Sequence, residues 1–246
     1  MAGPSVATRT VRFLGYRLAV VLSMALAVMI PADVATSQSG AGDVDLALVL
    51  AVDCSYSVDT VEFRLQMDGI AAAFRDPKVA NAIAKGPNGK IVVTLFQWSS
   101  DQAQEIAIPW VVIDGPQAAM AFAAQVAATP RMTAEGGTSI SAAVRFGSEL
   151  LDIVPARPLR RVIDVSADGG NNNGFRPEIA RDDAVGRGIT VNGLTIINEV
   201  PYLDKYFQRR VTGGPGSFVI VANDYAAYRD AILRKLILEI LGPTVS

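Results

Sequence analysis

The sequence predicts an α/β fold with a doubly wound, mostly parallel central sheet, helices on both faces and one antiparallel edge strand. Apolar runs typical of strands alternate along the chain with amphipathic segments typical of helices, which is the order of a parallel sheet with crossover helices. The strand candidates are apolar at almost every position, as strands buried on both faces are. The sequence has no internal repeat and no interior linker rich in Pro, Gly or Ser, so one domain over residues 43–242 is expected.

The first half of this domain contains the predicted β-α-β order. Its elements are a strand over Val44–Val52, a helix over Val58–Phe74, a short helix over Asp76–Ala84, a strand over Lys90–Trp98 and an extended edge segment over Ile106–Ile113. The long helix is predicted because its apolar residues recur at helical spacing. A Gly86-Pro87-Asn88-Gly89 turn separates the short helix from the second strand.

The second half repeats the alternation. Its elements are helices over Pro116–Ala128 and Ser139–Ile153, a strand over Arg161–Val165, a helix over Pro177–Gly188, strands over Thr190–Ile197 and Ser217–Ala222, and a closing helix over Tyr225–Leu241. The segment Glu199–Gly216 between the last two strands is interpreted as a loop. Its aromatic residues either line the rim of the same face as the other strand ends or pack on the core. In open α/β sheets the functional site lies at the carboxyl ends of the strands.

The composition is that of a globular protein and excludes several classes of function. Of the 246 residues 50% are hydrophobic and 19% charged, and the formal net charge is -2. A mildly acidic chain offers no basic face for nucleic acid, so no nucleic-acid partner is expected. For the same reason the sequence indicates no polybasic membrane patch.

The chain has no histidine and a single cysteine, which limits its chemistry further. Neither an internal disulfide nor a structural zinc site of the usual Cys/His kind can form within one chain. A Ser-His-Asp or Cys-His nucleophile pair is also excluded. Any bound metal would be held by oxygen ligands, which favours a hard cation such as Mg²⁺, Mn²⁺ or Ca²⁺.

Residues 1–37 have the layout of a secretory signal peptide. A basic segment precedes the apolar run Leu18–Ile30, and small residues end at Ala35-Thr36-Ser37. The alternative is an uncleaved anchor, but the apolar run is shorter than the roughly 20 residues of a spanning helix. We therefore expect Sec-type export to a bacterial periplasm or beyond, a short tail over 38–42, and no stable membrane span after cleavage.

Three predicted loops carry side chains suited to a hard cation. Asp53-Cys54-Ser55-Tyr56-Ser57 follows the first strand and offers a carboxylate and two hydroxyls. Gly136-Gly137-Thr138 leads into a helix, and Asp168-Gly169 follows the strand Arg161–Val165. Taken singly, each pattern is as well explained by an ordinary turn or a helix N-cap. Their order and their positions at element ends favour a common site.

The segments D-C-S-Y-S, G-G-T-S-I-S-A-A-V and V-I-D-V-S-A-D-G resemble the three loops of the metal-ion-dependent adhesion site of von Willebrand factor A domains. The resemblance covers roughly residues 43–241 and is nearest to exported bacterial proteins with A-like domains. It implies the metal ligands Asp53, Ser55, Ser57, Thr138 and Asp168. It also implies Mg²⁺, with Mn²⁺ or Ca²⁺ as alternatives, and a protein partner whose Asp or Glu completes the coordination shell.

Several residues lie outside this resemblance. The Asn-rich segment Gly170–Gly174 departs from the family pattern, and we interpret it as a solvated, flexible loop. Cys54 is expected to point into the core as a small hydrophobic residue, and Trp98 and Trp110 to pack there as well. The cluster formed by Arg157, Arg160 and Arg161 is interpreted as a solvated edge.

The sequence thus favours a non-enzymatic, metal-dependent module that binds another protein in adhesion or assembly. A metal-dependent hydrolase or phosphoryl-transfer enzyme is an alternative, although the chain lacks a histidine base and a G-x-x-x-x-G-K-[ST] loop. A second alternative is an A-like structural domain that binds no metal.

Overall fold

A computed structural model describes residues 42–242 of the chain. The predicted signal peptide and nearly all of the tail over 38–42 lie outside the described residues. The strands are β1 (Asp43–Val44), β2 (Leu46–Asp53), β3 (Ile91–Trp98), β4 (Gln104–Ile113), β5 (Arg157–Pro158), β6 (Arg161–Ala167), β7 (Ile189–Ile196) and β8 (Val219–Ala222). The helices are α1 (Thr60–Arg75), α2 (Pro77–Ala84), α3 (Pro116–Ala128), α4 (Ile140–Asp152), α5 (Pro177–Gly186), α6 (Leu203–Arg210) and α7 (Tyr228–Leu241).

Six strands form the central sheet in the order β4-β3-β2-β6-β7-β8. All neighbouring pairs are parallel except β3 and β4, which are antiparallel. The predicted doubly wound sheet with one antiparallel edge strand is therefore confirmed. Two short strands that the sequence analysis did not predict, β1 and β5, pair in parallel as a separate two-stranded sheet.

The sheet separates two hydrophobic cores, because alternate residues of a strand point to opposite faces. All eight residues of β2 are buried. Leu46, Leu48 and Leu50 pack with α1, α2, α3 and α7, whereas Ala47 and Val49 pack with α4, α5 and α6. This burial on both faces explains why the strand sequence is apolar throughout, instead of alternating between apolar and polar residues.

Local sequence fixes where the first two helices begin. The Asp59 carboxylate accepts hydrogen bonds from the backbone of Val61 and Glu62, and the Glu62 carboxylate accepts one from the backbone of Asp59, forming a complete capping box. Helix α2 begins with Pro77, and the Asp76 side chain accepts from the backbone of Lys78.

Helix α6 corrects the interpretation of Glu199–Gly216 as a loop. Its sequence is mostly polar, so a helical apolar pattern is weak. The helix is held by the buried side chains of Leu203 and Phe207. The Phe207 ring fits only because residue 193 is glycine, since a Cβ on Gly193 would lie 2.5 Å from the ring carbon Cδ1. The closing helix also begins later than predicted, at Tyr228 instead of Tyr225.

A group of buried charges lies between α7 and the sheet. The Lys235 ammonium lies 2.8 Å from Asp164 Oδ1 of β6 and 2.5 Å from Glu239 Oε1. Asn192 of β7 donates to the same Glu239 oxygen at 2.9 Å. This polar network fastens the helix to the two strands through groups that are costly to leave unpaired.

Arg160 corrects part of the interpretation of the arginine cluster. Its side chain is partly buried, and its guanidinium donates to the carbonyls of Glu239 and Ile240 at 2.7 and 2.6 Å. These carbonyls belong to the last turn of α7 and have no partner within the helix, so Arg160 caps the helix end. Arg157 remains exposed, as expected.

None of the helices within residues 42–242 is long and apolar enough to cross a membrane.

Candidate metal centre

Three loops meet at one edge of the sheet. The first, over 53–57, begins at the carboxyl end of β2, and the third, over 168–174, follows β6. These strands are neighbours, with Val52 opposite Ser166, so their two loops emerge side by side. The second loop, over 135–139, leads into α4 and is attached to the third by backbone hydrogen bonds.

Hydroxyl and carboxylate groups of the first and third loops are in direct contact. Ser57 Oγ donates to Asp168 Oδ1 at 2.7 Å, and the Oγ atoms of Ser55 and Ser57 lie 3.2 Å apart. The Asp53 carboxylate is turned into the same loop, where Oδ1 accepts from the backbone N–H of Ser55 at 2.7 Å. Side chains that are 111 positions apart in the chain therefore share one small site.

The two carboxylates of the site are buried, with Asp53 at 0% and Asp168 at 2% exposure. Asp53 Oδ2 has no hydrogen-bond partner, which is costly for a buried charged group. Burial, followed by the negative charge of Asp168, raises the pKa of Asp53 to about 7. Repulsion between the two acids and an unpaired buried oxygen are the features that a bound cation would relieve.

Thr138 lies next to this pair of loops. Its side chain is buried, and its Oγ1 lies 3.8 Å from the position that a Cβ on Gly169 would occupy. Of the five predicted ligands, four are buried, and Ser57 is the exposed one. The hydroxyl hydrogen bonds bring together Ser55, Ser57 and Asp168, whereas Thr138 is joined to the third loop through its backbone.

The donor set suits a hard divalent cation. It consists of two carboxylates and three hydroxyls, and oxygen ligands of this kind are those that Mg²⁺ and Ca²⁺ prefer. Within residues 42–242 no three His, Cys, Asp or Glu side chains lie close enough to hold a metal ion by themselves. A metal ion bound at this edge of the sheet would therefore need the serine and threonine hydroxyls, which the predicted ligand set includes.

The Asn-rich segment is partly exposed, as expected, but its hydrogen bonds correct the expectation of a flexible loop. Its three asparagine side chains each accept a hydrogen bond from a backbone N–H of another segment through Oδ1. Asn171 accepts from Ser141, Asn172 from Thr138 and Asn173 from Asp101, at 3.0, 2.8 and 2.8 Å. Asparagine is suited to this task because its amide oxygen accepts strongly without adding charge.

One of these bonds completes the start of α4. Ser139 occupies the N-cap position, but its side chain makes no capping hydrogen bond. The free N–H of Ser141 in the first turn is satisfied instead by Asn171, from the third loop. The first turn of α4 is thus capped by a residue 30 positions after Ser141 and not by the side chain of Ser139.

Arg131 supports the first loop, a contact that sequence reasoning missed. Its guanidinium donates to the carbonyls of Cys54 and Val58 at 2.7 and 2.8 Å and to that of Ser55 at 3.3 Å. Gln66 of α1 also supports this loop, since it donates to the carbonyl of Asp53 at 3.2 Å. For Gln66, the one signal in the sequence was a polar residue at helical spacing from Phe63, Met67 and Ile70.

Two tyrosines hold the third loop, and sequence reasoning missed both roles. The Tyr225 hydroxyl donates to Asp168 Oδ2 at 3.0 Å, and the Tyr206 hydroxyl accepts from the backbone N–H of Asn171 at 3.1 Å. The aromatic residues of Glu199–Gly216 therefore divide between the two expected locations. Tyr206 reaches the third loop, whereas Phe207 packs in the core.

Cys54 is buried between two predicted ligands, as expected. Its thiol lies 3.8 Å from Gln97 Oε1, and burial raises its pKa to about 12. A thiol that is neutral and shielded from solvent is a weak nucleophile and a weak metal ligand. Trp98 is fully buried and Trp110 is partly buried against the same core, in agreement with their expected packing roles.

The fold and the arrangement of these loops define the class of protein: residues 42–242 have the von Willebrand factor A-like fold. The chain belongs to the family described as protein of unknown function DUF1194, whose sequence model matches residues 43–244. No curated protein matches the chain.

Solved structures with this fold come from several organisms. Proximal thread matrix protein 1 from the mussel byssus is 17% identical, with a TM-score of 0.60 over 81% of this chain and 49% of that one. Another structure of this mussel protein has a zinc-occupied MIDAS motif, which is the metal-ion-dependent adhesion site. A von Willebrand factor type A protein from Catenulispora acidiphila is 19% identical, with a TM-score of 0.54 over 81% of this chain and 43% of that one. The PilB minor pilin from Streptococcus sanguinis is 16% identical, with a TM-score of 0.55 over 81% of this chain and 64% of that one. The chain spans about half the length of the first two proteins.

Proposed function

We propose that this protein is an exported module that binds a divalent cation through Asp53, Ser55, Ser57, Thr138 and Asp168 and uses it to hold another protein. The observation that carries the proposal is the junction of the first and third loops. Ser57 donates to Asp168 at 2.7 Å beside Asp53, whose buried Oδ2 has no partner. A buried, unpaired carboxylate oxygen among hydroxyls is expected where a cation binds.

The five residues would have different tasks at the centre. Asp53 and Asp168 would supply the negative charge that balances the cation. Ser55, Ser57 and Thr138 would supply neutral oxygens, which add ligands without adding repulsion between anions. When bound, the cation would supply a positive charge at the surface that attracts an acidic group of a partner.

A partner carboxylate is the group that best complements this site. Only two of the five predicted ligands are carboxylates, and Ser57 is the exposed one of the five. An Asp or Glu from another protein would complete the ligand set, so affinity for the partner would depend on the metal. Solved structures with the same fold include a pilus adhesin and a minor pilin, which supports a role in protein binding outside the cytoplasm.

The cation is expected to be Mg²⁺, with Mn²⁺ or Ca²⁺ as alternatives, because all the donors are oxygen atoms. Zinc belongs in the test as well, since the mussel protein has a zinc-occupied MIDAS motif. Export would follow from the signal peptide predicted for residues 1–37.

The proposal is tested by calorimetric titration of the purified protein with Mg²⁺, Mn²⁺, Ca²⁺ and Zn²⁺. We expect saturable binding that Asp53→Asn abolishes. Asp45→Asn is the matched control. Asp45 is a buried carboxylate that precedes the first residue of β2, at the opposite end of the strand from Asp53, and it accepts hydrogen bonds from Asn88. Absence of binding at millimolar metal, or equal loss in both variants, would contradict the proposal and favour an A-like domain that serves structure alone.

The partner is tested in a second step, with the metal present. Bacterial envelope extract passed over the immobilised protein should yield a bound protein that EDTA releases. The same protein should not bind to Asp53→Asn. Retention that is unchanged by EDTA would contradict the role of the metal in partner binding.

A further inference from the structure

Tyr225 stands at the site without belonging to any of the three loops. It lies between β8 and α7, is 6% exposed, and donates its hydroxyl to Asp168 Oδ2 at 3.0 Å. The other oxygen of that carboxylate, Oδ1, accepts from Ser57 at 2.7 Å. Each oxygen of Asp168 thus has one hydroxyl partner, and the two partners come from opposite ends of the domain sequence.

We propose that Tyr225 is a positioning residue for the metal centre, whose hydroxyl fixes the orientation of the Asp168 carboxylate and so sets the affinity for the cation. This inference rests on the proposed function. It assigns Asp168 Oδ2 to the tyrosine, which leaves Oδ1 as the oxygen that faces the hydroxyls of the first loop.

The physical reason is the freedom of an aspartate side chain. Rotation about its last bond is broad and roughly twofold, so a carboxylate without a second partner samples many orientations. A hydrogen bond from a neutral hydroxyl to a charged oxygen is stronger than a neutral pair, and it restricts that rotation. Outer partners that orient metal ligands in this way typically change metal affinity about 10- to 100-fold when they are removed.

The hydroxyl also gives the carboxylate a partner where water has little access, since Asp168 is only 2% exposed. The Tyr225 ring can serve packing alone, since it belongs to the core beside Ala222 and Tyr228. The two roles are separable, because phenylalanine keeps the ring and removes only the hydroxyl.

Tyr228 provides the matched control. It lies three residues further on, is fully buried, and places its hydroxyl 3.2 Å from Ser166 Oγ. Ser166 belongs to β6 but is not among the predicted ligands. Tyr228→Phe therefore removes a buried tyrosine hydroxyl from the same region without touching the metal centre.

The experiment compares the wild-type protein, Tyr225→Phe and Tyr228→Phe. Affinity for Mg²⁺ and Mn²⁺ is measured by calorimetry, the electron paramagnetic resonance spectrum of bound Mn²⁺ is recorded, and thermal unfolding is followed in EDTA. We expect Tyr225→Phe to weaken metal binding about tenfold or more and to alter the Mn²⁺ spectrum. Tyr228→Phe should keep the wild-type affinity and spectrum, while both variants lose similar thermal stability in EDTA.

Two results would overturn this inference alone. One is a Tyr225→Phe variant that binds metal like the wild-type protein. The other is an equal loss of affinity in Tyr228→Phe, which would mean that any buried hydroxyl in this region matters. A wild-type protein that binds no metal would overturn the proposed function and this inference together.

Discussion

Thr138 and Asn172 form a reciprocal hydrogen-bonded pair across two loops. The N–H of Thr138 donates to Asn172 Oδ1 at 2.8 Å, and the carbonyl of Thr138 accepts from the N–H of Asn172 at 2.9 Å. The pair requires a glycine before Thr138, because a Cβ on Gly137 would lie 2.9 Å from the same asparagine oxygen. The second loop thus takes its conformation from the third.

Replacing Asn172 by alanine should loosen this pair. The backbone N–H of Thr138 would lose its acceptor, at a cost of about 1 kcal/mol in the free energy of unfolding, and metal affinity should fall because Thr138 is no longer held. Urea unfolding and metal titration measure the two effects. Asn223→Ala, at an exposed position before α7, serves as control and should change neither. Unaltered metal binding in Asn172→Ala would contradict the pairing as a support of the site.

Replacing Arg131 by methionine should disturb the first loop. The variant keeps much of the apolar stem and loses charged donors to three carbonyls, so we expect a loss of about 2–3 kcal/mol in stability together with weaker metal binding. Arg64→Met is the matched control, because Arg64 also donates to two backbone carbonyls, those of Ala127 and Thr129, away from the loops. It should lower stability and leave metal affinity unchanged. Equal metal affinity in both variants would argue against a supporting role for Arg131.

Replacing Lys235 by methionine should be among the most damaging changes in the domain. It would leave the carboxylates of Asp164 and Glu239 buried without their cation, which typically costs about 3–5 kcal/mol. Chemical denaturation measures the loss. Lys205→Met removes an exposed partner of Asp204 instead and should change stability by less than about 0.5 kcal/mol. A loss below about 1 kcal/mol for Lys235→Met would contradict the importance of the buried network.

Stability should depend on pH through Glu239. Burial, followed by the charge of Asp164, raises its pKa from 4.5 to about 7. The folded state therefore holds the proton more tightly than the unfolded state. This contribution is fully present below pH 4.5 and is lost as pH rises through about 7, with a slope of at most about 1.4 kcal/mol per pH unit.

The slope is measured by urea unfolding between pH 5 and 8 in EDTA, for the wild-type protein and Glu239→Gln. The variant should lose the part of the slope that Glu239 provides. Asp53, whose pKa is also raised to about 7, is present in both proteins and cancels in the difference. Identical slopes would show that Glu239 does not titrate in this range.

The fold was predictable from the sequence because local patterns determine most of its elements. The buried strands are continuous apolar runs, α1 begins at a capping box, and the turn at 86–89 is signalled by Gly and Pro. Helix α6 escaped prediction because its polar sequence lacks a helical apolar pattern. Two buried side chains hold it, those of Leu203 and of Phe207, whose ring packs against Gly193.

The candidate site likewise has residues that could be predicted from the sequence and residues that could not. The predicted ligands of the first loop could be named from the sequence because they are close together in one turn: Asp53, Ser55 and Ser57. Asp168 could be named as well, because the expected strand order places its loop at the same edge of the sheet. The supporting residues could not. Arg131, Asn172 and Tyr225 reach the loops through contacts between segments far apart in the chain, and such contacts leave no periodic signal. Sequence by itself determined most of the elements and the candidate oxygen donors, because both follow from local chemistry. Only the tertiary structure decided how the donors are held, because that depends on which distant groups fill the remaining hydrogen bonds.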